Sequence, residues 1–207
     1  MNTQTQPTSF AFDETSESDI AVAIARYPVG KQASAVMALL EIAQRQMKRQ
    51  TGSAWVPVAA MDVIAKRLSM APVRVYEMST FYLMYNTKPV GKYHLQLCTT
   101  TPCWLRGSDD VVAACKKITG IHAFGETSAD GLFTMTEVEC LGACVNAPIL
   151  QIDDDYYEDM DGARTEELLN VLKTGGALPP PGSTTGRHGT APEGGQTTLL
   201  ATPSPGD

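Results

Sequence analysis

Four cysteines in two close pairs are the residues of this sequence best suited to chemistry. Cys98-Thr99-Thr100-Thr101-Pro102-Cys103 sets two thiols either side of a four-residue gap, and Cys140-Leu141-Gly142-Ala143-Cys144 sets two either side of three. A quartet of thiolates can close two disulfides, hold a structural zinc ion or hold an iron–sulfur core. Disulfides belong to oxidising compartments. The first 25 residues carry Asp13, Glu14, Glu17 and Asp19 and no Lys or Arg, so they resemble neither a secretory signal nor a transit peptide, and the chain is expected to stay in the cytosol. Four-cysteine zinc sites most often use a tight C-x2-C knuckle in each pair, which is absent here. A [2Fe-2S] core is wider than one ion and suits a four-residue gap, as in the C-x4-C element of plant-type ferredoxins. Spacing favours iron and leaves zinc, holding together a docking module, as the alternative.

Both pairs fall at the ends of expected strands, so their loops are expected to lie side by side and bring the four thiolates to one place. Thr101 is the expected N-cap and Pro102 the expected first residue of a short helix, which sets Cys103 in a first turn where amide donors and the dipole favour a thiolate. Gly142 and Ala143 are small enough for backbone N–H groups to approach a bulky inorganic core, and Pro148 stiffens the exit.

The elements that carry these loops follow from periodicity. From Ser18 to Tyr85 apolar residues recur at helical spacing: Ile20, Ala23, Ile24, Tyr27; Val36, Leu39, Leu40, Ala43, Met47; Met61, Ile64, Ala65, Leu68; Val75, Met78, Tyr82, Tyr85. Pro28-Val29-Gly30, Gly52, Pro57 and Pro72 punctuate them into four helices. After Pro89 the period becomes two, with Tyr93, Leu95 and Leu97 on one face of a strand and His94 and Gln96 on the other. A helix ending near Gly120, strands around Ile121–Phe124, Leu132–Val138 and Ile149–Ile152, a turn at Asp130-Gly131 and a helix over Glu166–Lys173 complete the pattern. The expected class is α+β: a disordered N-terminus over 1–17, a four-helix bundle over 18–88, a mixed α/β domain over 89–177 and a disordered tail over 178–207. That tail holds six Pro and six Gly in 30 residues and few apolar groups to offset the entropy of ordering them.

Other residues invite chemistry less. Cys115 lies with Val111, Ala114 and Ile118 on an apolar helix face and reads as a buried free thiol. His94, His122 and His188 stand apart from the cysteine loops. The run Asp153-Asp154-Asp155, with Glu158, Asp159 and Asp161, lacks the Gly and final Glu of a calcium loop and reads as a solvated turn. Phe81, Tyr82, Met84 and Tyr85 read as domain core. The net charge of −7 argues against a nucleic-acid surface. The amphipathic stretch from Gln32 to Gln50 is broken by Glu41, Arg45 and Lys48, too soon to span a bilayer. Neither G-x-G-x-x-G nor G-x-x-x-x-G-K-[ST] occurs, so hydride chemistry is expected to belong to a partner.

The residues carry a resemblance more specific than spacing. Phe81-Tyr82, Pro89-Val90-Gly91-Lys92, the run from Cys98 through Trp104-Leu105-Arg106-Gly107-Ser108, Gly125-Glu126-Thr127, Asp130-Gly131, the run from Glu137 through Cys140 and Cys144 to Pro148, and Tyr156-Tyr157-Glu158-Asp159 resemble the E-subunit family of complex I, the NADH:quinone oxidoreductase. Members are the smaller, 24-kDa-type component of its flavoprotein fragment, and the likeness covers about residues 18–176. It implies a thioredoxin-like ferredoxin domain holding one [2Fe-2S] cluster through Cys98, Cys103, Cys140 and Cys144. It also implies an electron relay without a substrate site of its own, serving an oxidoreductase. FMN and NADH would be bound by the partner flavoprotein subunit, not by this chain, and further iron–sulfur subunits would complete the complex. Its place would be peripheral, on the cytoplasmic face of the bacterial inner membrane, attached only through the complex. Related small subunits serve NAD-linked formate dehydrogenases and NAD-reducing hydrogenases, which the Thr-Thr-Thr-Pro-Cys-Trp-Leu-Arg-Gly stretch resembles less.

Overall fold

The computed structural model divides the chain into two compact units, residues 1–93 with 130–134, and residues 94–129 with 135–207. The structure describes residues 6–187 together with 194, 195 and 198.

The first unit contains helices α1 (Glu14–Ala25), α2 (Val36–Thr51), α3 (Val58–Leu68) and α4 (Pro72–Phe81). Helix α1 starts four residues before the expected Ser18 because Asp13 caps it: its Oδ1 accepts the Ser16 N–H at 2.8 Å, and Glu14 and Glu17 sit in the first turn. Gly52, in the left-handed region with φ 80°, ends α2 after Lys48 and Arg49. Pro72 opens α4. Ile20, Leu39, Leu40, Ala43, Val56, Ile64 and Val75 form one dry core, joined by half-buried Phe10 and Phe12, whose rings meet edge to face at 5.0 Å. The segment before α1 is therefore ordered rather than disordered from Gln6 onward. Gln46 fixes it from both sides, its Oε1 accepting the Asp13 N–H at 3.0 Å and its Nε2 donating to the Ala11 carbonyl at 2.8 Å. Residues 1–5 lie outside the described residues. The reading of Phe81 and Met84 as core is corrected: α4 ends at Phe81, and Phe81, Leu83 and Met84 are exposed while Tyr85 is buried. Tyr82 turns to extended backbone, which takes its neighbours off the helical register.

Apart from Tyr93, Phe133 and Thr134, the second unit supplies a sheet of β1 (Tyr93–Cys98), β2 (Glu126–Thr127), β3 (Phe133–Val138), β4 (Leu150–Ile152), β5 (Asp155–Glu158) and β6 (Gly182–Ser183), in the order β2-β3-β1-β4-β5-β6. Strand β1 pairs antiparallel with β4, Leu95 opposite Ile152 and Leu97 opposite Leu150, and β5 pairs parallel with β6. Helices α5 (Thr101–Leu105), α6 (Ser108–Thr119) and α7 (Gly162–Lys173) complete it, with α6 packed on α7 and Lys117 Nζ 2.8 Å from the Glu166 carboxylate.

Three expectations are corrected here. No strand covers Ile121–Phe124, because Glu126 Oε2 accepts the N–H groups of both His122 and Ala123 and folds that stretch into a turn. The acidic run is only partly a turn, since Asp155–Glu158 is a strand with Tyr157 buried. Residues 178–187 are not disordered: Gly182–Ser183 extends the sheet and Tyr157 Oη donates to the Pro179 carbonyl at 3.1 Å. The positions after 187, apart from 194, 195 and 198, lie outside the described residues.

Candidate cluster site in the two cysteine loops

Strands β1 and β3 are neighbours in the sheet, so the backbone leaving Cys98 and the backbone leaving Val138 run over the same edge of the unit. Cys98 ends β1 and Cys103 sits in α5, both buried. Cys144 opens a short 3-10 turn, half-buried, and Cys140 is exposed. Cys140 Sγ and Cys144 Sγ are 3.2 Å apart, and the Cys98 and Cys103 thiols are hydrogen-bonded to each other. The four expected residues are thus brought together as two pairs, one enclosed and one facing outward. Among the described residues no three His, Cys, Asp or Glu side chains converge on a single-ion site.

The backbone supplies donors. The Gly142 N–H donates to Cys140 Sγ at 3.4 Å, and the Leu141 and Ile149 amides donate to Cys98 and Cys103. Gly142 has φ 83°, and a Cβ there would meet nothing within 4 Å of the protein, so the backbone conformation, more than close approach, calls for glycine. The cap of α5 falls one residue earlier than expected, at Thr100 rather than Thr101. The Thr100 hydroxyl makes no capping bond and instead lies 3.3 Å from Cys98 Sγ, so the sulfur takes the group that the helix end would have used.

These contacts set the electrostatics. Burial raises the Cys98 thiol, but hydrogen bonds from Thr100 and the Leu141 amide outweigh it and leave Cys98 below the ordinary thiol range. Burial, reinforced by Cys98, pushes Cys103 up to about 12. Cys144 is raised by its hydrogen bond with Cys140 and by burial. Neighbouring thiols oppose one another's ionisation, so four thiolates here call for a cationic partner. Ala147, Ile149, Leu141, Ala143 and Tyr156 enclose the inner pair in apolar surface.

Residues that sequence reading passed over hold the outer loop. Tyr156 Oη donates to the Leu141 carbonyl at 3.0 Å, Asn146 Nδ2 donates to Glu158 Oε2 at 2.6 Å, and the Asp159 N–H donates to the Asn146 carbonyl at 2.7 Å. The Ala147–Pro148 peptide is cis. Tyr156 stands in a run singled out by resemblance, with no physical role attached, and in the sequence Glu158 and Asp159 read as part of a solvated turn. Cys115 is buried in α6, its thiol pushed up to about 12 by burial alone, and takes no part in the loops. His94 is buried with a ring nitrogen 2.6 Å from Thr136 Oγ1, His122 is exposed, and His188 lies outside the described residues.

A mixed sheet carrying two thiol-bearing loops, with amides aimed at sulfur, can hold an iron–sulfur core or a zinc ion. Residues 20–173 match the family model described as thioredoxin-like [2Fe-2S] ferredoxin. Over 169 residues the chain is 48% identical to the E subunit of the NADH-quinone oxidoreductase of Rickettsia typhi, covering 82% of this chain and 96% of that one. It is 47% identical to the corresponding protein of the same name from Rickettsia prowazekii, covering 82% and 92%. An NAD+-reducing [NiFe]-hydrogenase structure shares the fold at a TM-score of 0.56 and 18% identity, with 68% of this chain spanning 23% of that one. The chain belongs to the thioredoxin-like [2Fe-2S] ferredoxin family, among the E subunits of NADH-quinone oxidoreductases.

Proposed function

We propose that Cys98, Cys103, Cys140 and Cys144 hold one [2Fe-2S] cluster, and that the protein is the electron-transferring E subunit of a respiratory NADH:quinone oxidoreductase. The observation that carries this reading is the placing of two thiol pairs on adjoining loops, the inner pair buried in an apolar wall and the outer pair facing outward, with amide donors on sulfurs of both. Bound there, the cluster supplies storage of a single electron. The protein's own residues fix the thiols, exclude water from Cys98 and Cys103, and leave Cys140 at the surface, where an electron partner can approach.

On this reading the partner is the subunit that binds NADH and FMN, with further iron–sulfur subunits beyond it. The protein attaches peripherally at the cytoplasmic face of the inner membrane through the complex. Among the described residues no helix is long and apolar enough to cross a membrane.

Anaerobic purification from iron-replete cells tests the reading. The expected product is red-brown, contains two iron and two acid-labile sulfide per chain, and gives an electron paramagnetic resonance signal from one unpaired spin after reduction. Colourless protein with one zinc per chain overturns it. Co-purification with an FMN-containing subunit tests the partner.

A further inference from the structure

The segment after Pro181 returns to the cysteine loop. Strand β6 lies alongside β5, and Ser183 Oγ donates to Asp159 Oδ2 at 2.5 Å while accepting the N–H groups of Thr185 at 3.2 Å and Arg187 at 3.1 Å. Thr185 Oγ1 donates to the same Asp159 oxygen at 3.1 Å, and Thr184 Oγ1 donates to the carbonyls of Glu158 and Asp159 at 3.0 Å. These bonds fix the short run that ends in Arg187. Its Nη1 donates to the Val145 carbonyl at 3.3 Å, one residue from Cys144, and its Nε is shut off from solvent.

We propose that residues 182–187 are a strap over the outer cysteine loop, and that Arg187 sets a fixed cation at the Val145 carbonyl, next to Cys144, that makes the cluster easier to reduce. This rests on the four-cysteine cluster proposed above. Three physical steps lead to it. A guanidinium stays charged at every physiological pH. Partial enclosure weakens the screening that would silence an exposed cation. Reduction adds a negative charge to an already anionic core, so a fixed cation favours the reduced form. Glu158, which accepts from Asn146 Nδ2, and Asp159, which accepts from Ser183 and Thr185, border the same loop and carry charge of the opposite sign.

The test is a redox titration of the purified, cluster-loaded protein by electron paramagnetic resonance. Arg187→Gln is expected to assemble the cluster and to shift the one-electron equilibrium toward the oxidised form by roughly fivefold. Arg187→Lys is expected to restore most of the shift, because it keeps the charge. Ser183→Ala, which loosens the strap but retains Arg187, is expected to move the potential in the same direction by less, and it decides the matter if Arg187→Gln does not load. An unchanged or higher potential in loaded Arg187→Gln, or in Ser183→Ala where that variant decides, overturns the proposal. A wild-type protein that binds no iron overturns the cluster reading instead, so the two failures are distinct.

Discussion

Tyr156 reaches from β5 to the cysteine loop, its phenol donating to the Leu141 carbonyl at 3.0 Å while its ring packs against the wall of the inner thiols. One side chain therefore fastens the backbone next to Cys140 and closes the apolar side of the site. Tyr156→Phe keeps the ring and loses the hydrogen bond, which costs about 0.5–1.5 kcal/mol. The cluster is expected to assemble in this variant and to leave faster when an iron chelator is added. Urea unfolding and the decay of visible absorption measure the two effects. Wild-type values in both would show that the bond does not secure the loop.

The pairing of the thiols makes a second test specific. Substituting Ala at Cys98, Cys103, Cys140 or Cys144 removes one of four ligands and is expected to abolish or severely reduce iron content. Cys115→Ala is expected to leave the cluster spectrum as it is, because Cys115 is buried in α6 and takes no part in the loops. A normal spectrum in Cys140→Ala would break the four-cysteine assignment.

Sequence made the cysteine quartet legible because the chemistry needs particular residue types at short spacing, and two of its supports, the strand ending at Cys98 and the strand before Cys140, carry strong period-two patterns. The four helices were legible for the same reason at a period of 3.6. The local caps were less so. Asp13 extends α1 upstream of its apolar stripe, and Thr100 gives its hydroxyl to Cys98 instead of to the helix, a competition that residue type alone does not reveal. Strand β5 was hidden because Asp155 and Glu158 are polar and only Tyr157 is fully buried. The strap was hidden more deeply. Its Pro, Gly, Ser and Thr composition is that of a segment unable to order itself, and it is ordered by hydrogen bonds to Asp159 and Glu158 rather than by apolar burial of its own.

Two buried acids give the protein an alkaline limit. Burial pushes the Tyr85 phenol from its ordinary 10.0 up to about 12, with Glu41 adding to the effect, and burial pushes the Cys115 thiol from 9.0 up to about 12. In both cases folding favours the neutral form, so this stabilisation is complete below the unfolded value and is lost as pH rises towards 12. Stability is expected to fall from about pH 9 through Cys115 and from about pH 10 through Tyr85, by up to about 1.4 kcal/mol per pH unit for each group. Tyr85→Phe should flatten the part above pH 10, at the cost of the bond from Tyr85 Oη to the Met37 carbonyl. Denaturant titrations across this range would show it, and identical slopes in wild type and Tyr85→Phe would exclude Tyr85 as a source.

The C-terminal segment divides at Arg187. Truncation after residue 187 is expected to keep wild-type cluster content and thermal midpoint, since every hydrogen bond described for the strap lies within the remaining protein. Truncation after residue 181 removes β6 and the Asp159 contacts, and the midpoint is expected to fall by several degrees, the response of a domain this size to roughly 1–2 kcal/mol. Equal midpoints for the two truncations would show that the strap contributes nothing to the fold.

Electrostatic tuning has a second handle of opposite sign. Residues 91–177 carry a net charge of −8, and Glu137 and Glu139 lie just before Cys140. Glu137 accepts the Thr99 hydroxyl, and both carboxylates are exposed. At a separation of roughly 8 Å and an effective dielectric of about 40, a carboxylate opposes the added electron by about 1 kcal/mol, or about 40 mV for a one-electron couple. Exposure reduces this, so Glu139→Gln is expected to raise the potential by about 10–40 mV, with a smaller shift at high salt. Arg187 acts in the opposite sense: its removal is expected to lower the potential. A Glu139→Gln, Arg187→Gln double variant should therefore titrate between the two single variants. If Glu139→Gln leaves the potential of a fully loaded cluster unchanged at low salt, charge on this side of the loop does not reach the metal core. Control would then pass to the hydrogen bonds that Gly142, Leu141 and Ile149 make to sulfur.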